Sequence, residues 1–472
     1  MTVPTATARL TAWRRTASES RFGRRAAVAA LAAVLGCAAP AAVEAQYLSF
    51  IRDTEIERLL NDYSRPIFKA ANLGSQNISM RIVKHESFNA FVLDGQNVFM
   101  HTGALMQSET PNQVIGVIAH ETGHITGGHL AQLRDRIARD QTKSLLIKLL
   151  GIGLMVAGGG GSATGAGTGV MVGGDQMLMR SLLADRRAQE SSADQSGMRF
   201  LEATKQSGNG MLETFERFAQ QEYISASGST QDAFVRSHPV ATDRLAQLRR
   251  RVAASPYVDK KDPPELQLRH DLMRAKLAGY LERPQIVLNR YRQGDQSLPA
   301  RYARTIAVFF GRGIQAALPE VEKLIQADPK NPYFHELKAD FLMRSGRAHE
   351  AIVPLRTALK LAGDAPLIAV RLAQALDGES DPRAVAEVVT LARKSLMTDK
   401  NPQAYRLLAS AYAKQSHLPE ADLAIAEAHF LEGNVKQAQI FAKRSQRGLK
   451  SGSPEGLRAG DIVSYKLTKD AL

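Results

Sequence analysis

One cysteine and one tryptophan occur in 472 residues, and both, Cys37 and Trp13, precede residue 45. A chain cleaved after Ala45 therefore holds neither a disulfide nor a thiol, which removes redox and cysteine-nucleophile chemistry from consideration. Long apolar runs are also missing. The run from Ala26 to about Ala39 is shorter than the ~20 residues a membrane span needs, and so is the one from Leu145 to Val156, which carries Lys148. Nor is the charge gathered into one patch. The formal charge is +14, of which six arginines against two glutamates give the first 45 residues +4. The remaining Lys and Arg are scattered, which speaks against a nucleic-acid groove and leaves weak contact with an anionic surface open.

What is present fits a globular, multi-domain chain: 44% apolar and 23% charged residues over a length too great for one core. Residues 1–45 read as an export signal, with arginines ending at Arg24-Arg25, an apolar run, and small residues at Val43-Glu44-Ala45. Cleavage after Ala45 places the mature protein in the periplasm. Val34-Leu35-Gly36-Cys37 offers a rival processing site, with lipid anchoring through Cys37.

Beyond the signal, the spacing of Ile56, Leu59, Leu60, Tyr63 and Ile67 predicts a helix, and Ser79–Lys84, Ala90–Leu93 and Val98–Met100 read as strands. Asp94-Gly95 marks a hairpin, so a small antiparallel sheet is expected. Thr110-Pro111-Asn112-Gln113 is a strong helix start that runs through Val114, Ile115, Val117 and Ile118 into His120-Glu121-Thr122-Gly123-His124. Residues four apart on a helix share a face, so His120 and His124 can hold one ion while Glu121 takes a proton from water beside it. Imidazole with an oxygen donor suits zinc.

A third ligand is needed. Leu130 stands where a longer HExxHxxGxxH motif would put its last histidine, and His129 extrapolates to the far side of the helix. The better donor is Glu190, paired with Asp194 at i, i+4 on a separate helix; Asp194 is placed to accept from the free ring nitrogen of His120. This HExxH followed by ExxxD, with Glu190 66 residues after His124, resembles the gluzincin peptidases that include the CAAX prenyl proteases and the heat-shock protease HtpX. An exported form with a helical-repeat tail is similar to the branch of β-barrel assembly-enhancing proteases. The resemblance implies one zinc per chain, His238 as a switch ligand able to fill the open metal position, and Arg244 as a stabiliser of the oxyanion.

A glycine-rich stretch within 145–179 is expected to be a gate or lid over the cleft. Ser255-Pro256 and Asp262-Pro263-Pro264 mark a linker over 255–265. Prolines then recur at Pro299, Pro332, Pro366 and Pro402, close to the 34-residue tetratricopeptide period. Ala339, Gly346, Ala351 and Ala358 supply the small residues one hairpin needs, and Ala409, Tyr412, Ala421 and Ala428 match in another. The expected fold is mainly α: an α+β metalloprotease domain over 46–254, then tetratricopeptide-like repeats over 266–449 and a tail from 450.

Two functions follow. One is a zinc endopeptidase that clears misfolded or stalled envelope proteins, its repeats binding clients or, as the resemblance implies, the β-barrel assembly machinery. The other is a chaperone-like adaptor of outer-membrane protein assembly in which proteolysis is latent.

Overall fold

The computed structural model describes residues 49–93, 95–139, 173–225, 234, 237, 238 and 242–466. The expected signal and most of the glycine-rich stretch lie outside these residues. The molecule is mainly α, with one four-stranded sheet near its start. Among the described residues no helix is long and apolar enough to cross a membrane.

Strand β1 (Phe50–Ile51) leads into helix α1 (Thr54–Ala70), whose N-cap Asp53 accepts from Ile56 N. Strands β2 (Ser79–Val83), β3 (Ala90–Val92) and β4 (Asn97–His101) follow, in the order β1-β2-β4-β3. The β3–β4 hairpin is antiparallel, turning where Gly95 takes a positive φ of 76°. The sheet as a whole is nonetheless mixed, not antiparallel: β2 runs parallel to β4. The segment after β2 carries the chain past the β4 position, so β4 returns between its two predecessors.

A short helix α2 (Thr102–Gln107) then delivers the chain to α3 (Pro111–Thr126). The start of α3 is built as the sequence suggests: Gln113 N–H donates to Thr110 Oγ1, and Pro111 opens the helix. Helix α4 (His129–Arg139) leaves from its end, and α5 (Gly173–Ala203), α6 (Asn209–Ser225) and α7 (Thr242–Ala254) complete this part. Its core joins α1, the sheet, α3 and α5–α7, with Leu60, Ile82, Val98, Ile118, Leu201 and Phe215 all buried.

The stretch expected as a linker is anchored. Asp262 Oδ2 accepts from Asn112 N–H on the first turn of α3, and Ser207 Oγ donates to Val258 O. Helix α8 (Pro264–Leu281) then lays Met273 and Leu277 into the same core. Tyr63 O–H donates to His270 Nδ1, whose Nε2 donates to Ser108 O, so α8 is tied to α1 and to the segment before α3.

Helices α9 (Pro284–Arg290), α10 (Leu298–Arg312), α11 (Ile314–Ala327), α12 (Pro332–Arg344), α13 (Ala348–Ala362) and α14 (Pro366–Leu376) continue as stacked hairpins. After them come α15 (Pro382–Leu396), α16 (Pro402–Lys414), α17 (Leu418–Leu431) and α18 (Val435–Ser445). The recurring prolines sit in the first turns of α10, α12, α14 and α16, where a missing N–H costs nothing. Ala339, Ala351 and Ala358 are fully buried where helices cross. The expected tail is partly a further helix, α19 (Pro454–Ser464), because Ala459 and Ile462 bury against Ala426, Ala438 and Ala442.

Helix α1 meets these hairpins through charge. Lys276 Nζ lies 2.7 Å from Asp53 Oδ2 and 3.1 Å from Glu55 Oε2, and Tyr302 O–H donates to Glu55. Arg52 also reaches Asp399, and Arg58 donates to the carbonyl of Asp364.

Candidate metal centre

The site forms where α3 crosses α5, and glycine sets the distance. A Cβ on Gly123 would stand 2.6 Å from Ala193 O, and one on Gly197 3.2 Å from Ala119 C. Only bare backbone lets the helices come this close. That approach brings Glu190 and Asp194 onto His120 and His124.

Four side chains then converge. His120 Nε2 lies 3.2 Å from His124 Nε2, 3.4 Å from Glu190 Oε2 and 3.3 Å from His238 Nδ1. His238 Nδ1 is 3.1 Å from Glu190 Oε1, and His124 Nε2 is 3.5 Å from that oxygen. Lone-pair atoms of three imidazoles and a carboxylate, packed this tightly in a buried space, repel one another unless a cation lies among them. The donor set therefore fits a metal ion, and these four form the cluster able to hold one among the described residues.

Around this cluster stand the groups that orient it. Asp194 Oδ1 lies 2.9 Å from His120 Nδ1, the ring nitrogen turned away from the cluster. Arg244 grips Asp194 with two hydrogen bonds, Nε to Oδ2 at 2.7 Å and Nη2 to Oδ1 at 2.9 Å, and its Nη1 is 3.1 Å from Glu190 Oε2. The guanidinium also lies over Phe215, whose ring meets His120 edge-on. Each of its three nitrogens thus faces a carboxylate of α5.

His129 is placed differently from the helical extrapolation. Helix α3 stops at Thr126, and Gly128 takes a positive φ of 62°, so α4 starts in a new direction. His129 is brought back over the site, its Nδ1 2.9 Å from His124 Nδ1. The Gly127-Gly128 pair was the signal for this break. The sequence also gave no warning of Asn89 and Ser237: Ser237 Oγ donates to Asn89 Oδ1, linking the residue before His238 to the start of β3.

Burial and charge compete throughout. Burial alone would lower the His120 pKa, but Asp194 and Glu190 outweigh it and raise it to about 9. Burial pushes Glu121 up to about 7 against the pull of the neighbouring histidines, and its Oε1, buried with no hydrogen-bond partner among the described residues, lies 3.4 Å from His238 Nε2. Glu190 is held well below the usual carboxylate range because His238 and His124 overcome its desolvation. Asp194 is lowered likewise, by His120 and Arg244 against burial. The arrangement pairs an ionised carboxylate among imidazoles with a second, proton-accepting carboxylate at the edge.

A buried histidine–carboxylate cluster next to a carboxylate poised to exchange a proton is an arrangement suited to metal-assisted hydrolysis. Residues 51–252 match Peptidase family M48, and the cluster of His120, His124, Glu190 and His238 that could hold a metal ion lies within that stretch. Over 420 residues it is 24% identical to the Beta-barrel assembly-enhancing protease of Escherichia coli, spanning 86% of this chain and 82% of that protein. The protein of the same name in Yersinia pestis is 23% identical over 412 residues, with the same shares covered. Metalloprotease LoiP of Escherichia coli is 26% identical over 184 residues, 39% of this chain and 66% of the relative.

Proposed function

We propose that the protein is an exported zinc endopeptidase of the gluzincin type, acting in the periplasm on misfolded or stalled outer-membrane proteins. In this reading His120, His124 and Glu190 hold zinc, Asp194 orients His120, and His238 fills the fourth position at rest. The observation that carries it is the spacing of the four donors. Tetrahedral zinc with bonds of ~2.0–2.1 Å keeps its ligand atoms roughly 3.3–3.4 Å apart; five contacts among the four residues, shared between both oxygens of Glu190, fall at 3.1–3.5 Å, and one donor atom from each residue lies within 4.8 Å of all the others.

Bound zinc supplies Lewis acidity to a water and to the scissile carbonyl. Glu121 then takes a proton from that water as its oxygen bonds to the carbonyl carbon, and delivers it to the leaving nitrogen as the C–N bond breaks. A raised pKa suits Glu121 to both halves of this exchange. His238 must withdraw to admit substrate. Arg244, whose nitrogens face Asp194 and Glu190, is better placed to hold these two carboxylates than to meet an oxyanion.

The hairpins from residue 266 onward are read as tetratricopeptide-like repeats that recruit clients or the β-barrel assembly machinery, a reading supported by the similarity to the Beta-barrel assembly-enhancing protease of Escherichia coli. Cleavage after Ala45, with lipidation of Cys37 as the rival, and a 145–179 gate belong to the same reading. The second function, a chaperone-like adaptor with latent proteolysis, draws support from one contact: His238 lies 3.3 Å from His120 Nε2 inside the metal cluster.

Metal analysis of the purified chain should return one zinc. Casein and an unfolded outer-membrane protein should be degraded by the parent and left intact by Glu121→Gln. Degradation by both at equal rates would rule out the mechanism, and a zinc-loaded parent that cuts nothing would favour the adaptor.

A further inference from the structure

Helix α18, near the end of the array, is apolar on one side and cationic on the other. Its buried residues are Val435, Ala438, Ala442 and Ser445, and Ala438 and Ala442 pack against Leu423 and Ala426 of α17 and Ala459 and Ile462 of α19. At ~100° per residue, Lys436, Ile440 and Lys443 fall within roughly 60° of one another on the opposite side. Arg447 extends the same line, because the turn after the helix keeps Arg447 N–H bonded to Arg444 O. All four side chains are exposed, Ile440 by 57%. The line is roughly 17 Å long at the helical rise.

Charge is sorted along it. Helix α18 contains no acid. Arg444, at the margin of the stripe, is paired with Asp422, whereas Lys436, Lys443 and Arg447 have no carboxylate partner among the described residues. Other acids of α17 and the turn after it are taken as well, Glu427 by Arg458 and Glu432 by Arg406. Glu420, Glu455 and Asp461 have no ion pair, but they stand on α17 and α19 rather than in the stripe. Gln439 Nε2 donates to Val463 O and Tyr465 O, which brings the half-exposed Tyr465 alongside α18.

A single helix ridge offers no pocket in which an acidic side chain could be fixed. Lys436 and Lys443 are point charges on flexible stems, suited to phosphates that can rearrange beneath them. An apolar side chain amid such cations, with an aromatic residue that has a polar tip beside it, suits the boundary between lipid headgroups and acyl chains.

We propose that this face of α18 rests on a lipid bilayer containing anionic phospholipid, with Lys436, Lys443 and Arg447 over the phosphates and Ile440 at the level of the headgroups. The opposite side of α18 stays packed on α17 and α19, so the helix lies on the surface and does not enter it. Each cation near such a surface strengthens binding about fivefold, and salt screens the attraction. The contact is weak and reversible, and it is independent of proteolysis.

The full-length chain, carrying Glu121→Gln so that self-cleavage does not blur the readout, is sedimented at low salt with phosphatidylcholine vesicles and with vesicles containing about one third phosphatidylglycerol. Every variant keeps one N-terminus, so differences between variants isolate the stripe. The anionic vesicles should be strongly preferred, and the preference should fade at high salt. Replacing Lys436, Lys443 and Arg447 together by Gln should weaken binding roughly a hundredfold, and Ile440→Ser several-fold, with the melting temperature unchanged. A control with Gln at Lys330, Lys360 and Arg383, exposed and without ion pairs, removes the same net charge and should bind nearly as the parent does. No preference for phosphatidylglycerol, or equal losses in the two triple variants, overturns the proposal. Vesicles ignored while polyglutamate is bound through the stripe would assign the face to an acidic protein and overturn it as well.

Discussion

Arg244→Ala separates two roles for a buried guanidinium. The side chain is 6% exposed and meets Asp194 at 2.7 and 2.9 Å and Glu190 at 3.1 Å. Alanine leaves two carboxylates one helical turn apart, 3% and 5% exposed, with their fixed cation gone. Breaking one side of such a buried arrangement costs about 3–5 kcal/mol. For a domain of this size that is a fall of roughly 6–20 °C in Tm for the metal-free protein. Zinc should bind roughly 10–100-fold more weakly, the usual cost of losing a residue that orients metal ligands. Differential scanning fluorimetry with and without chelator, and competition against a zinc dye, give both quantities. Zinc should restore part of the lost Tm, because the ion takes over the task of compensating Glu190. Arg244→Lys keeps the charge but not the two-pronged grip on Asp194 and should fall between. An Arg244→Ala protein with parental Tm and zinc affinity but a collapsed kcat would refute this reasoning and restore the oxyanion role.

Three further outcomes follow from particular contacts. His238→Ala should raise cleavage of a short fluorogenic peptide, since His238 Nδ1 lies 3.3 Å from His120 Nε2 inside the cluster; unchanged or lost activity would make it a supporting residue. Gly123→Ala drives a methyl against Ala193 O and should cost about 1–3 kcal/mol together with most activity, while Gly197→Ala, at 3.2 Å, should be milder; equal Tm and rate for all three proteins would show that helix spacing does not matter. Burial holds His270 down at about 4, so the fold binds fewer protons than the unfolded chain between that value and ~6.5, and stability falls as the pH falls through this window. His270→Gln should remove a loss on the order of 3 kcal/mol from urea unfolding at pH 4 relative to pH 7; an unchanged acid slope would place the sensitivity elsewhere.

The helix carrying His120 and His124 was readable because its signals are local: a Thr N-cap, a first-turn proline and an unbroken apolar face. The repeats were readable for the same reason, since their prolines and alanines answer to turn and crossing geometry. Glu190 and Asp194 needed only i, i+4 spacing, and the structure brings both to His120. What escaped depends on direction after a break. His129 could not be placed without knowing that Gly128 turns the chain, and the parallel pairing of β2 with β4 is a matter of topology that alternation does not encode. Helix α19 was missed because two buried residues, Ala459 and Ile462, are too few to make a stripe.

The contacts of α1 bear on whether a peptidase unit can be excised from this chain. Asp53 and Glu55 open the helix that underlies the sheet, yet the cation and the hydroxyl that satisfy them, Lys276 and Tyr302, come from beyond residue 264. A gene truncated at residue 254 would encode every metal-site residue and still orphan these two acids, along with the Tyr63 hydroxyl that His270 accepts. Accretion of repeats onto a free-standing protease would thus have become irreversible once α1 took its partners from the added helices, and shortening the array from its far end is the deletion this chain should tolerate.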